Sequence, residues 1–318
     1  MDVLLLNEAE VRALLDVDEL MDALARAFEA ISRGAASVPR RIAATVPDAG
    51  LVAAMPGYAP GIGLAVKLVS VFERNVGRGL RSHQALICVF DVTTGSPTAI
   101  MDGTYITALR TAASSAVSTR LLARRDCRSL AILGAGVQGA AHLKMLPRVR
   151  ELTDIRIASR ERAHAEALAA THPGARPVES FEAAVRGADV VAVCTHSGEP
   201  VVAFEWLSPG AHVTSVGFAP PHGELDREIV ERASLFVEAR VAFAPPPAGC
   251  YELSGMAPER GVELGEVLLG EKPGRRDARE ITVYKSMGHA MEDVAAAALV
   301  CARARERGVG RSFPMDAA

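Results

Sequence analysis

Ser129-Leu-Ala-Ile-Leu-Gly-Ala-Gly-Val-Gln-Gly139 joins an apolar run to a glycine-rich turn, and the helix-like segment Ala140-Ala-His-Leu-Lys-Met-Leu146 follows it. A strand, a glycine turn and a helix in this order are typical of a dinucleotide-binding unit, whose helix N-terminus offers N–H groups and a positive dipole end to the phosphates. The alternative is a glycine-rich turn that binds no ligand. The cofactor-binding residues predicted from this stretch are Gly134, Ala135, Gly136, Val137, Gln138 and Gly139.

The spacing of these glycines assigns each a different task. Gly134 would allow the tight turn, Gly136 would let the backbone approach a pyrophosphate, and Gly139 would let the helix pack closely on its strand. The next predicted strand, Asp154-Ile-Arg-Ile-Ala158, ends at Ser159, 20 positions after Gly139.

Position 159 bears on the choice between NADP(H) and NAD(H). An NAD-selective site usually places Asp or Glu near this position, on the ribose 2′-hydroxyl. Here Ser159 and Arg160 offer a hydroxyl and a guanidinium, which would bind a 2′-phosphate through charge-assisted hydrogen bonds. The sequence therefore favours NADP(H), with NAD(H) as the alternative, unless Arg160 is only a solvated charge at a helix start.

Composition narrows the class of protein. The chain has 318 residues, of which 49% are hydrophobic, and a formal net charge of -3, so bulk charge predicts neither nucleic-acid nor membrane binding. The five cysteines are widely spaced and include no C-x-x-C pair, which favours reduced thiols in a cytoplasmic protein and argues against a zinc site. We expect no metal.

The hydrophobic pattern changes once along the chain. From Arg40 to Ile100 it predicts antiparallel hairpins, and from Ser129 onward strands alternate with helices, which indicates a parallel, doubly wound sheet. A long helix over 106–122 connects the two patterns, and a final helix, about 290–306, is expected to fold back toward the first half. We predict an α/β protein with one domain over 1–112 and 290–318 and a second, dinucleotide-binding domain over 113–289.

Two buried-looking cations stand out in the first half. Lys67 interrupts the apolar strand Leu64-Ala-Val-Lys-Leu-Val-Ser70, which suggests a catalytic proton donor with a lowered pKa or, alternatively, a lysine that protects an edge strand. Arg110 lies among small residues and would suit a substrate carboxylate, or would form a structural salt bridge to Asp102 or Glu73. Arg41 is a third candidate, although adjacent arginines on a loop are commonly solvated.

With these motifs in view, the chain resembles the ornithine cyclodeaminase/μ-crystallin family over nearly its whole length. The glycine turn is only one part of the likeness, and the other stretches make it far more specific. They are Lys67-Leu-Val-Ser70, Phe90-Asp-Val-Thr-Thr-Gly-Ser-Pro97, Met101-Asp-Gly103, Ile106-Thr107, Arg110-Thr-Ala-Ala113, Lys285-Ser286, Gly288 and Glu292-Asp293.

The resemblance implies an NAD(P)-dependent protein with a Rossmann domain and an N-terminal α+β domain for substrate binding and dimerisation, hence a homodimer acting on a small amino or imino acid. It implies a carboxylate pocket of Arg41, Lys67 and Arg110. It also implies contacts to the cofactor from Thr111, Thr195, Val216 and Ser286, although a threonine at a strand end is often only a cap.

Two departures from the family pattern bear on the reaction. Cyclodeaminases of this family carry an aspartate where this chain has Phe218-Ala219, and a glutamate where it has Ala53-Ala54 before Met55-Pro56. Without these acids a second substrate ammonium would lack a partner. We therefore expect NADPH-dependent reduction of an imine or ketimine of an α-keto acid, or the reverse oxidation. The alternatives are a cyclodeaminase-type lyase and a non-enzymatic ligand-binding protein.

Overall fold

The computed structural model describes residues 2–316, and the chain forms two compact units. One unit runs to Arg110 and resumes at His289, and the other is Thr111–Gly288. The predicted domain ranges also include residues 1, 317 and 318, which lie outside the described residues. Within the described part of the chain, no helix has the length and apolar character needed to span a bilayer.

The strands of the described residues form two sheets, one in each unit. In chain order they are β1 (Asp2–Leu6), β2 (Ile42–Val46), β3 (Gly50–Ala59), β4 (Gly63–Val71), β5 (His83–Phe90), β6 (Pro97–Asp102), β7 (Ser129–Leu133), β8 (Asp154–Ala158), β9 (Ala175–Pro177), β10 (Val190–Val193), β11 (His212–Ser215), β12 (Ser234–Val237), β13 (Gly261–Glu263), β14 (Thr282–Lys285) and β15 (Arg311–Pro314).

The α-helices cover the sheets or connect their strands. In chain order they are α1 (Glu8–Leu14), α2 (Val17–Ser32), α3 (Thr104–Leu122), α4 (Val137–Met145), α5 (Arg162–Ala169), α6 (Phe181–Val185), α7 (Arg227–Arg232), α8 (Leu264–Leu268) and α9 (Ala290–Arg307). The long helix predicted over 106–122 is confirmed as α3, and the final helix as α9. Asn7 and Glu10 form a capping box at α1, as their spacing indicates.

The unit Thr111–Gly288 contains a parallel sheet in the order β13-β12-β14-β11-β10-β7-β8-β9. The chain runs outward from β7 through β8 to β9 and then returns to β10 on the other side of β7. This reversal is the topological switch point of a doubly wound sheet, where ligands bind beyond the carboxyl ends of the strands. The predicted fold class is confirmed.

A polar network ties the second half of α3 to this sheet. Ser115 Oγ lies 2.8 Å from His142 Nε2 and accepts a hydrogen bond from Thr214 Oγ1 at 2.6 Å. His142 Nδ1 lies 2.8 Å from the carbonyl of Gln138, which fixes that nitrogen as the donor. Burial lowers the pKa of His142 to about 4, so the ring is neutral at physiological pH.

The other unit contains a sheet in the order β15-β1-β6-β5-β4-β3-β2. Strands β2 to β6 pair antiparallel, as the hairpin pattern predicts, whereas β1 pairs parallel to β6 and antiparallel to β15. Helix α9 packs on one face. An added Cβ on Gly57 would lie 3.2 Å from Val294 and 3.3 Å from Ala290, so glycine allows this close approach.

Candidate functional site

The glycine turn after β7 has the geometry that its spacing predicts. Gly134 has φ +98°, and an added Cβ there would lie 2.6 Å from the carbonyl oxygen of Cys194. A Cβ on Gly139 would lie 2.0 Å from the Gly134 carbonyl oxygen. By contrast, a Cβ on Gly136 would have no neighbour within 4 Å. Two glycines therefore serve close packing, and the third leaves the backbone open beside α4.

This open region fits the phosphates of a dinucleotide. Gly136 is the N-cap of α4 and has no side chain to satisfy the first N–H groups of the helix. Val137 is 71% exposed although it is apolar. Gln138 Oε1 is buried and has no hydrogen-bond partner among the described residues. The free N–H groups and the open space at this helix N-terminus are what a phosphate needs, and the Gln138 oxygen remains available to accept a hydrogen bond.

The other predicted cofactor residues lie at neighbouring strand ends. Ser159 and Arg160 follow β8, and the Arg160 side chain is 92% exposed with Glu161 at 3.9 Å. Thr195 follows β10, Val216 follows β11 and donates its N–H to the Val193 carbonyl at 3.1 Å, and Ser286 follows β14. The carboxyl edge of one sheet thus brings these residues together with the glycine turn. Thr111 lies apart from this edge in sequence, in α3, and is buried.

A buried carboxylate that sequence reasoning missed lies at this edge. Glu224 accepts hydrogen bonds from Thr195 N at 2.9 Å and Thr195 Oγ1 at 2.6 Å, and from Ser215 Oγ at 2.8 Å and Gly217 N at 2.6 Å. Burial raises the pKa of Glu224, against the opposing effects of Lys285 and of these donors. Glu224 was hidden because it lies in a loop with no recognisable motif.

Lys285 completes this cluster. Its Nζ donates to Gly217 O at 2.7 Å and Ser215 Oγ at 3.1 Å, and it forms an ion pair with Glu252 at 2.8 Å. Lys285 and Glu252 are at least 95% buried. Burial lowers the pKa of Lys285, but the facing carboxylates of Glu252 and Glu224 outweigh it and raise the pKa overall.

In the other unit, Lys67 and Arg110 meet over two adjacent acids at the start of α9. Lys67 Nζ lies 2.7 Å from Asp293 Oδ2. Arg110 donates to Glu292 Oε2 at 2.6 Å and, through Nε, to Asp293 Oδ1 at 3.1 Å. All four side chains are at least 94% buried. Asp293 therefore joins both predicted substrate-binding cations.

Two alternatives from the sequence are corrected here. Lys67 does not protect an edge strand, because β4 pairs with β3 on one side and β5 on the other. Arg110 does form buried salt bridges, and they run to Glu292 and Asp293 in α9, where the sequence had suggested Asp102 or Glu73. The sequence signal for these two partners was a pair of adjacent acidic residues in the otherwise apolar first turns of α9.

Burial and neighbouring charges compete in setting the pKa values of this cluster. It lowers the pKa of Lys67 to about 8, in spite of the attraction of Asp293. For Asp293, burial acts to raise the pKa, but the charges of Lys67 and Arg110 prevail and lower it. Lys67 is thus mostly protonated at neutral pH and loses its proton in mild alkali.

Arg41 and two histidines surround these charges. Burial lowers the pKa of His289 to about 4, with further contributions from the positive charges of Arg41 and Arg110. Desolvation likewise lowers the pKa of His83 to about 4, together with Lys67 and Arg110. Both histidines are therefore neutral at physiological pH, and Arg41 lies close enough to act on His289. Within the described residues, no group of histidine, cysteine or acidic side chains could hold a metal ion.

Comparison with known proteins places the chain among nicotinamide-dependent enzymes. The ketimine reductase mu-crystallin of Mus musculus is 39% identical over 287 residues, which cover 89% of this chain and 90% of that protein. The Thermococcus litoralis Delta(1)-pyrroline-2-carboxylate reductase, solved with NADH and L-proline, matches with a TM-score of 0.90 and 34% identity over 97% of this chain and 99% of that one.

A second solved structure gives a similar match. An archaeal alanine dehydrogenase dimer with bound NAD has a TM-score of 0.90 and 30% identity, covering 99% of this chain and all of that one, 100%. The family model for the ornithine cyclodeaminase/mu-crystallin family matches residues 1–308. The motifs, the two sheets and these matches agree, and the chain belongs to the ornithine cyclodeaminase/mu-crystallin family.

Proposed function

We propose that this protein is an NAD(P)H-dependent reductase of imines or cyclic ketimines of α-keto acids, which also runs in reverse as an amino acid dehydrogenase. The observation that carries the proposal is the buried cluster of Lys67 and Arg110 on Glu292 and Asp293. The ketimine reductase, pyrroline-2-carboxylate reductase and alanine dehydrogenase among its relatives support the same reaction class.

The charges of this cluster suit a substrate with one carboxylate. Arg41, Lys67 and Arg110 supply three positive charges, and Glu292 and Asp293 supply two negative ones, so one positive charge is left over. The carboxylate of a substrate would neutralise this charge. We propose that Arg41, Lys67 and Arg110 bind the carboxylate of the substrate.

Lys67 is also the proposed proton donor. The cofactor, when bound, would supply a hydride for the imine carbon, and the imine nitrogen would need one proton. The Lys67 ammonium, whose pKa is about 8, or an ordered water can provide that proton near neutral pH. Asp293, which lies 2.7 Å from Lys67 Nζ, holds the ammonium in place.

The surroundings of Lys67 argue against a cyclodeaminase. Met55 lies directly across from Lys67 on β3, and Ala53 is the next residue on that face of the strand. In unit Thr111–Gly288, Phe218 contacts Tyr251 with ring centroids 5.3 Å apart where cyclodeaminases carry the catalytic aspartate. A distal ammonium would thus meet apolar residues where cyclodeaminases carry the glutamate, and Phe218 supplies no carboxylate in place of the aspartate that activates the amino group and water.

NADP(H) is the proposed cofactor, with NAD(H) as the alternative. Arg160 extends into solvent at the carboxyl end of β8, beside Ser159, where a 2′-phosphate would receive a guanidinium and a hydroxyl donor. The proposed binding residues are the glycine turn with Ser159, Arg160, Thr111, Thr195, Val216 and Ser286. Replacement of Arg160 by Glu should weaken NADPH binding about tenfold or more and leave NADH binding nearly unchanged, since a charge-assisted hydrogen bond contributes about 1.5–3 kcal/mol.

A homodimer is also part of the proposal. The sheet face opposite Lys67 carries a row of apolar side chains in register across four strands, Ile42, Ala54, Leu68 and Leu86. Ile42 is 72% exposed and Leu86 52%. A second copy of the chain would cover this row, and the archaeal alanine dehydrogenase relative is a dimer. The cytoplasmic location expected from the unpaired, widely spaced cysteines remains a prediction.

The decisive experiment is NADPH and NADH oxidation, followed by absorbance, with cyclic ketimines and with α-keto acids plus amines. We expect turnover, and we expect Arg110→Lys to raise KM for the imino acid more than it lowers kcat, because the bidentate carboxylate contact is lost. Arg120→Lys in the same helix is the matched control and should change neither. Ammonia release from ornithine without net cofactor change would instead establish a cyclodeaminase, and ligand binding with no turnover would indicate a binding protein.

A further inference from the structure

We propose that Glu224 is a positioning residue for the cofactor, which acts through Thr195 and Gly217 at the ends of two neighbouring strands. The inference rests on the proposed function, because it concerns the same cofactor site. It goes beyond it in giving a role to a buried carboxylate that is not expected to touch substrate or cofactor itself.

The hydrogen bonds of Glu224 lead to two different strands. Oε2 accepts from the N–H and the hydroxyl of Thr195, just beyond β10. Oε1 accepts from the Ser215 hydroxyl, the last residue of β11, and from the Gly217 N–H just beyond it. A single carboxylate with four donors therefore fixes the carboxyl ends of β10 and β11 relative to each other.

These strand ends lie at the switch point of the sheet. An added Cβ on Gly134 would be 3.0 Å from the Cys194 carbonyl carbon and 3.3 Å from Thr195 N, so the phosphate-binding turn directly borders the end of β10. Because β7 and β10 are the strands at which the chain reverses direction, ligands of a doubly wound sheet bind between these two turns. The hydrogen bonds of Glu224 thus hold in place the backbone that forms one wall of that crevice.

The local sequence is adapted to this carboxylate. A Cβ on Gly217 would be 2.4 Å from Glu224 Oε2, so only glycine leaves room for the carboxylate at this point. Glu224 N donates in turn to Glu252 Oε1 at 3.1 Å, and Lys285 bonds both Glu252 and the Gly217 carbonyl. The loop that carries Glu224 is therefore anchored to β14 as well.

The arrangement also fixes what Thr195 can offer to a ligand. A hydroxyl has one proton, and Thr195 Oγ1 donates it to Glu224 at 2.6 Å. The oxygen that remains available to a ligand is therefore an acceptor with a defined direction. A glutamine at position 224 would present an N–H₂ group to two donors on one side of the cluster, and that side would lose its hydrogen bonds.

Glu224→Gln tests the role, with cofactor Kd measured by titration of NADPH and NADH fluorescence and with Tm recorded in parallel. We expect binding about tenfold weaker, and a rise in KM for the cofactor that exceeds any rise in KM for the imino acid. The Thr195→Val change should weaken binding too, and the two effects should be less than additive in the double variant, because both changes remove the hydrogen bond between Thr195 and Glu224.

Asp189→Asn is the matched control. Asp189 is also a carboxylate that collects hydrogen bonds from two backbone N–H groups and a hydroxyl, those of Arg128 and Ser129, but at the amino ends of β7 and β10. Its loss should lower Tm and leave cofactor Kd unchanged. A purely structural role for Glu224 would give the same result as this control.

The outcomes separate the two proposals. If the wild-type protein binds neither cofactor, the proposed function fails, and the role of Glu224 fails with it. If the wild type binds but Glu224→Gln binds equally well, only the role of Glu224 is refuted. Should Glu224→Gln fail to fold, Ser215→Ala removes one of its four hydrogen bonds. We expect severalfold weaker binding from that variant, and unchanged affinity would overturn the inference.

Discussion

The pKa of Lys67 predicts a specific loss of carboxylate binding in mild alkali. Burial lowers this pKa to about 8 from an ordinary value near 10.5, so the ammonium deprotonates above pH 8. At pH 9 roughly one-tenth of the Lys67 side chains keep the proton, and the affinity for a carboxylate that requires the charge should fall about tenfold relative to pH 7. The neighbouring histidines have pKa values of about 4 and do not titrate in this range.

The assay should use a ligand that does not itself titrate. Cyclopentene-1-carboxylate has the ring and carboxylate of a cyclic ketimine but lacks the basic nitrogen, so its Kd between pH 6 and 10 reports on the protein alone. We expect a single alkaline limb with a midpoint near pH 8. The same limb should appear in kcat/KM for imine reduction.

Lys67→Arg supplies the control. Because a guanidinium keeps its charge throughout this pH range, the limb should disappear even if the larger side chain weakens binding overall. In Lys67→Met, affinity should be low at every pH. A limb near pH 8 that persists in Lys67→Arg, or a wild-type affinity that stays flat to pH 10, would refute the assignment of the charge to Lys67.

Three further predictions test other parts of the structure. Gly136→Ala places a Cβ in the open space beside α4, so it should weaken NADPH binding about tenfold or more and leave Tm unchanged. In Gly139→Ala the new Cβ would lie 2.0 Å from a backbone carbonyl oxygen, so this change should destabilise the fold by about 1–3 kcal/mol. Leu86→Asp should shift the mass measured by sedimentation from dimer to monomer, and Val92→Asp, at an equally exposed apolar residue in a turn, should not. Asp293→Asn removes a negative charge from between two buried cations, so the free energy of unfolding, measured by urea denaturation, should fall by about 3–5 kcal/mol. A loss below about 1 kcal/mol would show that these ion pairs are dispensable for stability.

Local sequence patterns were sufficient to predict the parts of the site that are built from residues adjacent in sequence. The glycine turn could be predicted because its strand, turn and helix are continuous in sequence, and each glycine has a distinct steric reason. Lys67 could be identified because a charge inside an apolar strand is unusual. The fold class followed from the change of hydrophobic period near Ser129.

Long-range partners could not be predicted in the same way. Asp293 lies 183 positions from Arg110, and nothing in the spacing of charges along the chain indicates that they meet. The same holds for β14, which inserts between β11 and β12, and for β15, which pairs with β1. The carboxylate of Glu224 was missed because its four hydrogen-bond donors come from two segments that are separate from it in sequence, at Thr195 and at Ser215 and Gly217.

Strand β4 has a consequence for how this chain can change during evolution. Lys67 and Leu68 are consecutive, so strand alternation places the lysine on the face covered by α9 and the leucine on the opposite, exposed face. Insertion or deletion of one residue in β4 would exchange the two faces, burying Leu68 among the ion pairs and exposing Lys67. The length of β4 is therefore constrained twice over, and new substrate preferences are expected to arise by changes in the loops that follow the strands.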